Sequence, residues 1–323
     1  MQTPIETKPK VLVTTSSFDL ETPEMAALAH AGYGVILNPH GRRLSESEVS
    51  ALLTPDIVGM IAGVEPLTRT VLEKATGLKI VSRCGAGLDS VDLFAAQERG
   101  IAVFNTPDAP AAAVAELTVG LMLDVLRGIS LQDRALRRSD WVRPMGGLLG
   151  TCTVGIVGYG HIGARVTNHV QAFGARVLAC DPQAAEKSVG RAEFVSFDHL
   201  LEASDIVTIH IPFTPQTRHL FDATTLGKMK AGAILINTAR GELVDEDALA
   251  QAIASGHLSG AALDVYETEP YTGALTMLDS VVLTAHTGSY ARETRILQEA
   301  EAARNLLQGL GIPVARRKRH ETV

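Results

Sequence analysis

An apolar run, Val154-Gly155-Ile156-Val157, opens directly onto Gly158-Tyr159-Gly160-His161-Ile162-Gly163, and a helix-like segment follows. A second apolar run, Arg176-Val177-Leu178-Ala179-Cys180, then delivers Asp181, 18 residues after Gly163. Glycines at this spacing also occur in surface loops. Set between a strand and a helix, with an acid at that distance, they specify a βαβ unit that cradles a dinucleotide. Gly158 permits the tight turn, Gly160 lets backbone approach a pyrophosphate, and Gly163 lets the helix pack on the strand. The diphosphate rests on the unpaired N–H groups and positive end of the helix. Asp181 accepts hydrogen bonds from the adenosine ribose and repels a 2′-phosphate, so the turn reads as one for NAD rather than NADP.

A chain of 323 residues is long for a single core and predicts two domains. Hydrophobic residues make up 46% of it, enough for a sizeable interior. A formal net charge of −7 argues against a general nucleic-acid or membrane-surface role. The basic cluster Arg316-Arg317-Lys318-Arg319-His320 runs against that charge and reads as a solvated tail. No apolar run approaches the ~18 residues that span a bilayer. Thr3, Glu6, Thr7, Lys8 and Lys10 interrupt any signal-like stretch at the N-terminus, so a cytoplasmic protein is expected. Cys84, Cys152 and Cys180 are odd in number and widely spaced, which predicts reduced thiols and no metal site.

Short apolar runs alternate with helix-like segments over nearly the whole length, the pattern of a parallel α/β sheet. Strands are expected at 10–14, 35–37, 58–62, 79–82 and 102–105, with helices at 23–31, 68–76 and 89–99. Ser45 followed by Glu48 marks a further helix start by a capping box. Residues 111–127 form a helix that reads as apolar nearly all round, which leaves Glu116 in need of a partner. Beyond the glycine turn, strands are expected at 205–209, 233–236, 260–264 and 281–284. Helices are expected at 223–229, 245–254 and 290–309. The economical arrangement inserts a nucleotide domain into a first α/β domain to which the chain returns at its end.

Ligands of open α/β sheets bind beyond the carboxyl ends of the strands. Three polar residues follow predicted strands there. Arg240 follows Ile234-Leu235-Ile236-Asn237-Thr238-Ala239, Glu269 lies in Asp264-Val265-Tyr266-Glu267-Thr268-Glu269-Pro270, and His286 follows Val281-Val282-Leu283-Thr284-Ala285, with Gly288 soon after. Together they suit reduction of a 2-oxo acid. The guanidinium fork holds a carboxylate, the histidine exchanges a proton with the carbonyl oxygen, and the nearby acid orients the ring. Each also has an ordinary reading: Arg240 paired with Asp245, Glu269 as loop surface, His286 as a hydrogen-bonded structural residue.

These stretches resemble the D-2-hydroxyacid dehydrogenases, and among them the short D-3-phosphoglycerate dehydrogenases, over roughly residues 58–310. Cys84 through Asp92 is similar to that family's substrate-carboxylate loop. Asn105-Thr106-Pro107 and Val114-Ala115-Glu116 are similar to its first domain crossing. Met229-Lys230, Asn237 through Gly241 and Asp264 through Pro270 are similar to its signature run. The resemblance implies an α/β fold of two domains: a doubly wound Rossmann NAD domain over residues 106–289, inserted into a flavodoxin-like substrate domain formed by residues 1–105 and 290–323. It implies Arg240, Glu269 and His286 as catalytic residues, and Arg83, Ala86 and Gly87, with Arg240 and His286, as substrate-binding ones. The implied NAD contacts are Gly158, Tyr159, Gly160, His161, Ile162, Gly163, Asp181, Pro182, His210, Ile211, Pro212, Thr217, Thr238, Ala239, Asp264, His286 and Gly288.

Tyr159 and His161 stand where the family more often has small or basic residues, and Tyr290 and Arg292 where it has small ones. His161 reads either as a diphosphate contact or as a solvent-facing residue. Tyr290 and Arg292 read either as substrate contacts or as the start of the last helix. A phosphorylated substrate such as 3-phosphoglycerate is expected first, with Arg83 and either Arg42 or Arg292 supplying charge. Reduction of glyoxylate, hydroxypyruvate or a phosphonate-type 2-oxo acid is the alternative, and an NAD-sensing corepressor-like binding protein is a third reading. Residues 129–150, with Trp141 and Gly146-Gly147, resemble the loop through which these enzymes form homodimers, and read equally as the surface loop of a monomer. The serine-binding regulatory domain of longer relatives is not expected.

Overall fold

The computed structural model describes residues 8–182 and 192–313. The basic cluster at 316–320 lies outside the described residues. The chain divides into two compact units, Met1–Pro110 with Arg292–Val323, and Ala111–Ala291.

The first unit runs β1 (Lys10–Val13), α1 (Pro23–His30), β2 (Gly34–Leu37), α2 (Glu46–Leu52), β3 (Ile57–Ala62), α3 (Arg69–Lys74), β4 (Ile80–Arg83), α4 (Leu93–Glu98) and β5 (Ala102–Phe104). Its five strands are parallel in the order β2-β1-β3-β4-β5, which is flavodoxin-like. Alternation along the strands sorts the apolar side chains onto two faces. Val11, Val13, Ile61 and Ile80 pack with Ala302, Leu306 and Leu307 of the last helix, while Leu12, Met60 and Val81 pack with Val49, Leu72 and Ala95. The Ser45 box forms as the sequence predicts: its side chain accepts the Glu48 N–H, and Glu48 Oε2 accepts the Ser45 N–H at 2.8 Å. The helix expected at 89–99 begins only at Leu93. Val91 is held in a bridge to Leu67, and Asp92 caps the helix by accepting the Ala95 N–H at 2.8 Å.

The second unit runs α5 (Ala111–Arg127), α6 (Ile129–Arg137), β6 (Thr153–Val157), α7 (His161–Ala172), β7 (Arg176–Cys180), β8 (Glu193–Phe194), α8 (Phe197–Ala203), β9 (Ile206–Ile209), α9 (Ala223–Lys228), β10 (Ile234–Asn237), α10 (Glu246–Ala254), β11 (Gly260–Leu263) and β12 (Val281–Leu283). The chain closes with α11 (Arg292–Gly309), which belongs to the first unit. The seven strands are parallel in the order β12-β11-β10-β9-β6-β7-β8, the doubly wound arrangement with its switch point between β6 and β9. The helix at 111–127 is amphipathic rather than apolar all round: Val114, Thr118, Leu121 and Met122 are buried, whereas Glu116 is exposed. Water solvates that carboxylate, so the partner expected for it is not required. Among the described residues no helix is long and apolar enough to cross a membrane.

Candidate active site

Parallel strands bring their carboxyl ends to one edge, and in the second unit that edge holds both the glycine turn and the three chemical residues. Leaving β6, Gly158 adopts φ 96° and donates its N–H to the Cys180 carbonyl at 2.9 Å. A Cβ there would lie 2.6 Å from the His210 carbonyl oxygen, and one at Gly163 would lie 2.1 Å from the Gly158 carbonyl oxygen. Both positions therefore exclude a side chain. Gly160 is different: a Cβ would meet nothing within 4 Å, so the space over the first turn of α7 is open. Gly160 caps α7 without a side-chain acceptor, at the helix end where the first N–H groups have no intrahelical carbonyl. An open, donor-lined cradle at the positive end of a 12-residue helix fits a dinucleotide diphosphate. At the end of β7, Asp181 accepts the Tyr159 N–H at 2.7 Å, and Pro182 follows it. The Tyr159 ring stands edge-on to Phe194 at 5.1 Å, which gives this unusual loop residue a packing role.

Beyond β9, the His210 N–H donates to the Val157 carbonyl at 2.7 Å, and its Nε2 lies 3.0 Å from Thr208 Oγ1. Burial lowers the His210 imidazole to about 3, so it is neutral at physiological pH. Ile211 and Pro212 continue the segment, and Thr217 Oγ1 accepts the Thr214 N–H at 2.8 Å to close the turn after it.

At the end of β10, buried Asn237 shapes the next three residues. Its Oδ1 accepts the Ala239 N–H at 3.0 Å and its Nδ2 donates to the Arg240 carbonyl at 2.8 Å. Arg240 donates to the Ala239 carbonyl at 2.6 Å. Asp245 caps α10 by accepting the Ala248 N–H at 3.0 Å. Thr238 turns inward: its hydroxyl donates to Thr118 Oγ1 at 2.9 Å, and Thr118 in turn donates to the Val114 carbonyl.

The histidine loop hangs on Asp264, which is 1% exposed. Its carboxylate accepts Thr284 Oγ1 at 2.6 Å, Thr287 N–H at 2.8 Å and Gly288 N–H at 2.7 Å. Both oxygens are thus occupied in tying the end of β11 to residues 284–288. Tyr266 braces the same junction, its hydroxyl 2.8 Å from the Thr284 carbonyl and 3.0 Å from that of Leu263. Within this frame His286 sits at φ 52°, and its Nδ1 lies 3.0 Å from each carboxylate oxygen of Glu269. A left-handed backbone at a bulky non-glycine residue is strained and tends to mark functional sites. With Nδ1 turned to the carboxylate, Nε2 is the nitrogen placed to exchange a proton. The structure thus brings Glu269 and His286 into contact and sets Arg240 at the end of the strand next to theirs. The clamps at Asn237, Tyr266 and Thr284 were not expected from sequence; only the place of Asn237 and Tyr266 inside the signature run, and of Thr284 just before His286, could have pointed to them.

Arg83, Ala86 and Gly87 belong to the first unit. Arg83 is 9% exposed and its guanidinium donates to the Cys84 carbonyl. Thr106 and Asn105 hold the loop: Thr106 Oγ1 accepts the Gly85 N–H at 2.8 Å, and Asn105 donates to the Ala86 carbonyl at 2.7 Å. Arg42 is engaged elsewhere. It forms a bidentate pair with Glu48 at 2.7 and 3.0 Å, and those hydrogen bonds hold the Glu48 carboxyl at about 2.

Comparison with known proteins agrees with this geometry. Residues 119–288 match the family described as "D-isomer specific 2-hydroxyacid dehydrogenase, NAD binding domain". A hydroxypyruvate reductase of Thermotoga maritima is 37% identical over 276 residues, which cover 83% of this chain and 90% of that protein. A D-3-phosphoglycerate dehydrogenase of Methanocaldococcus jannaschii is 39% identical over 74% of this chain, but the match spans only 47% of that longer protein. Among solved structures, the TT0316 protein of Thermus thermophilus superposes with a TM-score of 0.85 at 37% identity, covering 94% of this chain and 97% of that one. A family match over more than half of the chain, joined to a relative aligned over nearly its whole length, supports one assignment: the chain belongs to the D-isomer specific 2-hydroxyacid dehydrogenases, NAD-dependent oxidoreductases.

Proposed function

We propose that the enzyme interconverts a small anionic D-2-hydroxy acid and its 2-oxo acid, with Arg240, Glu269 and His286 as the catalytic residues. The observation that supports this most is the His286–Glu269 pair, with Nδ1 3.0 Å from both carboxylate oxygens at the sheet edge that also carries the glycine turn. NAD, when bound, supplies the hydride acceptor for oxidation and the donor for reduction. In reduction, Arg240 grips the substrate carboxylate through its planar fork and polarises the adjacent carbonyl. His286 delivers a proton from Nε2 to the carbonyl oxygen and recovers it in the reverse direction. Glu269 fixes the ring so that Nδ1 stays protonated and stabilises the imidazolium form. The N–H groups at the start of α7 receive the diphosphate, and Asp181 receives the ribose hydroxyls. Arg83 and the backbone of Ala86 and Gly87 serve the substrate.

Of the substrate classes, the geometry favours an unphosphorylated acid such as hydroxypyruvate or glyoxylate. Arg42 is already paired with Glu48, so one of the arginines expected to serve a phosphate is engaged elsewhere. A phosphorylated acid, 3-phosphoglycerate, is the second reading, favoured by Arg83 itself and by the identity to a D-3-phosphoglycerate dehydrogenase. NADH oxidation against hydroxypyruvate, glyoxylate and 3-phosphohydroxypyruvate decides between them. The expected order places the unphosphorylated acids first; a preference of more than about tenfold for the phosphorylated one reverses the choice, and no turnover with any acid removes the reading.

We further infer a cytoplasmic homodimer joined through residues 129–150. Support comes from the net charge of −7, which disfavours an anionic membrane surface. It comes also from exposed apolar side chains at Ile129, Leu136, Trp141, Met145 and Leu148, a density that isolated surface residues do not explain.

A further inference from the structure

The segment Asp264–Pro270 carries Glu269 and is anchored at Asp264 and Tyr266. Between these anchors and Glu269 lies Glu267, which the mechanism above does not use. Its carboxylate oxygen Oε1 receives two donors from one turn: Arg218 NH2, in close contact, and His219 Nε2 at 3.2 Å. Its backbone N–H donates to Glu246 Oε1 at 2.9 Å, in the first turn of α10. One residue is therefore held by its side chain to the 214–220 turn and by its backbone to a helix.

Both attachments lead back to the site. The 214–220 turn follows His210, Ile211 and Pro212 and contains Thr217, so it continues the segment assigned to the cofactor. His219 in that turn has φ 48° and is kept there by its N–H bond to the Glu242 carbonyl at 2.8 Å, as well as by Glu267. On the other side, Gly241 directly follows Arg240. A Cβ on Gly241 would lie 1.9 Å from the Tyr266 carbonyl carbon, so the Tyr266–Glu267 peptide rests on the backbone beside the catalytic arginine. Glu269 itself accepts the Tyr266 N–H at 3.3 Å. Displacing Glu267 would move the residues on which both Arg240 and Glu269 rely.

A surface ion pair is the ordinary alternative, and Glu267 is about one-third exposed, where such pairs contribute little to stability. Two features separate this cluster from an ordinary pair. Two N–H donors, one of them the Arg218 guanidinium, converge on a single oxygen, and a second carboxylate, Glu246, is set against the same residue. Burial raises the Glu246 carboxyl above its ordinary value, and the N–H bond from Glu267 offsets part of that, so Glu246 is held to this backbone. A network in which one residue is held by three partners adds little stability as a surface device, but it fixes one geometry.

We propose that Glu267 is a positioning residue, joining the cofactor turn to the Glu269 segment through Arg218, His219 and Glu246 so that Glu269 stays seated on His286. The inference rests on the assignment of Glu269 and His286 as the acid–base pair. It predicts that Glu267 acts on proton transfer rather than on substrate affinity, because neither its carboxylate nor its N–H is directed at the reacting atoms.

The test uses the full chain, with Glu267→Gln and Arg218→Met measured beside the parent and His286→Ala. Steady-state rates are taken from pH 5 to 9 with NADH and the best 2-oxo acid, and thermal unfolding is followed in parallel. The expected result is a kcat lower by about 10- to 100-fold in Glu267→Gln, the scale on which misplacement of a catalytic group acts. KM for the 2-oxo acid changes by less than about threefold, and the pH at which kcat is half-maximal moves. Arg218→Met shifts kcat and the pH profile in the same direction and decides the matter should Glu267→Gln fail to fold. In a second comparison, Glu246→Gln, which keeps an acceptor for the Glu267 N–H, retains more activity than Glu246→Ala. Unchanged kcat and pH profile in a folded Glu267→Gln overturns the inference, as does a loss of rate that follows thermal stability with an unmoved pH profile. An active His286→Ala would instead remove the acid–base assignment, which keeps the two failures apart.

Discussion

His286 illustrates how single residues here carry two obligations. Its backbone is held in the left-handed region at φ 52° while its ring is aligned on Glu269, and buried Asp264 maintains both through the N–H groups of Thr287 and Gly288. His286→Ala should lower kcat by about 10²- to 10⁴-fold, the usual contribution of a general acid–base. NADH binding, followed by nucleotide fluorescence, should persist; near-normal turnover would refute the assignment. His210 is the opposite case, a histidine kept neutral. Its imidazole titrates at about 3 in the fold, against 6.5 for an unperturbed one. Between those values the unfolded chain takes up a proton that the folded chain refuses, so stability is complete above pH 6.5 and declines as the pH falls toward 3. The slope is at most on the order of 1.4 kcal/mol per pH unit. His210→Gln should flatten the fall in melting temperature between pH 6.5 and 4; an identical slope would show that other groups govern it. Arg240, Glu269 and His286 could be proposed from sequence because each lies in the segment that leaves an apolar strand. Their supports could not. Thr238 meets a threonine 120 residues away, and spacing carries no trace of such a contact.

At the level of elements, legibility follows burial. Strands such as Ile206–Ile209 and Ile234–Asn237 are covered on both faces, so they appear in sequence as unbroken apolar runs. The missed elements lack that covering. Helix α8 buries only the adjacent Leu200 and Leu201 and β8 has two residues, so neither develops a periodic stripe, while α6 buries only Ala135 and leaves Ile129 and Leu136 exposed. Helix α8 does have a local mark in Ser196, whose side chain accepts the His199 N–H at 3.3 Å. The glycine turn was the most legible element because its requirements are steric and local. Gly163→Ala tests that account: the added Cβ meets a backbone oxygen at 2.1 Å, so the loop must move. Stability should fall by about 1–3 kcal/mol or more, and NADH affinity should weaken together with it. Unaltered nucleotide binding by titration calorimetry would mean that the cradle tolerates displacement.

For the whole molecule, alternating strands and helices announced an α/β chain of two parts, and the two parallel sheets realise it. What the alternation could not give is strand order, since every crossover of this kind reads alike in sequence. The proposed homodimer belongs to this scale. Trp141→Asp combined with Leu148→Asp should shift the mass measured by light scattering from two chains to one at micromolar concentration, because charge on an apolar contact surface opposes its burial. A monomeric parent, or an unmoved dimer, would redirect attention from residues 129–150. The seven-stranded sheet adds a condition on any such assembly. It ends in β8, with two residues, and β12, with three, and Arg176 pairs with Glu193 at 2.6 Å beside the shorter of these. Rims so brief present few open amide and carbonyl groups, and the charges keep them hydrated. These rims give a neighbouring strand little to pair with, so this sheet directs contacts between copies toward helices and loops and is guarded against growth into fibrous stacks.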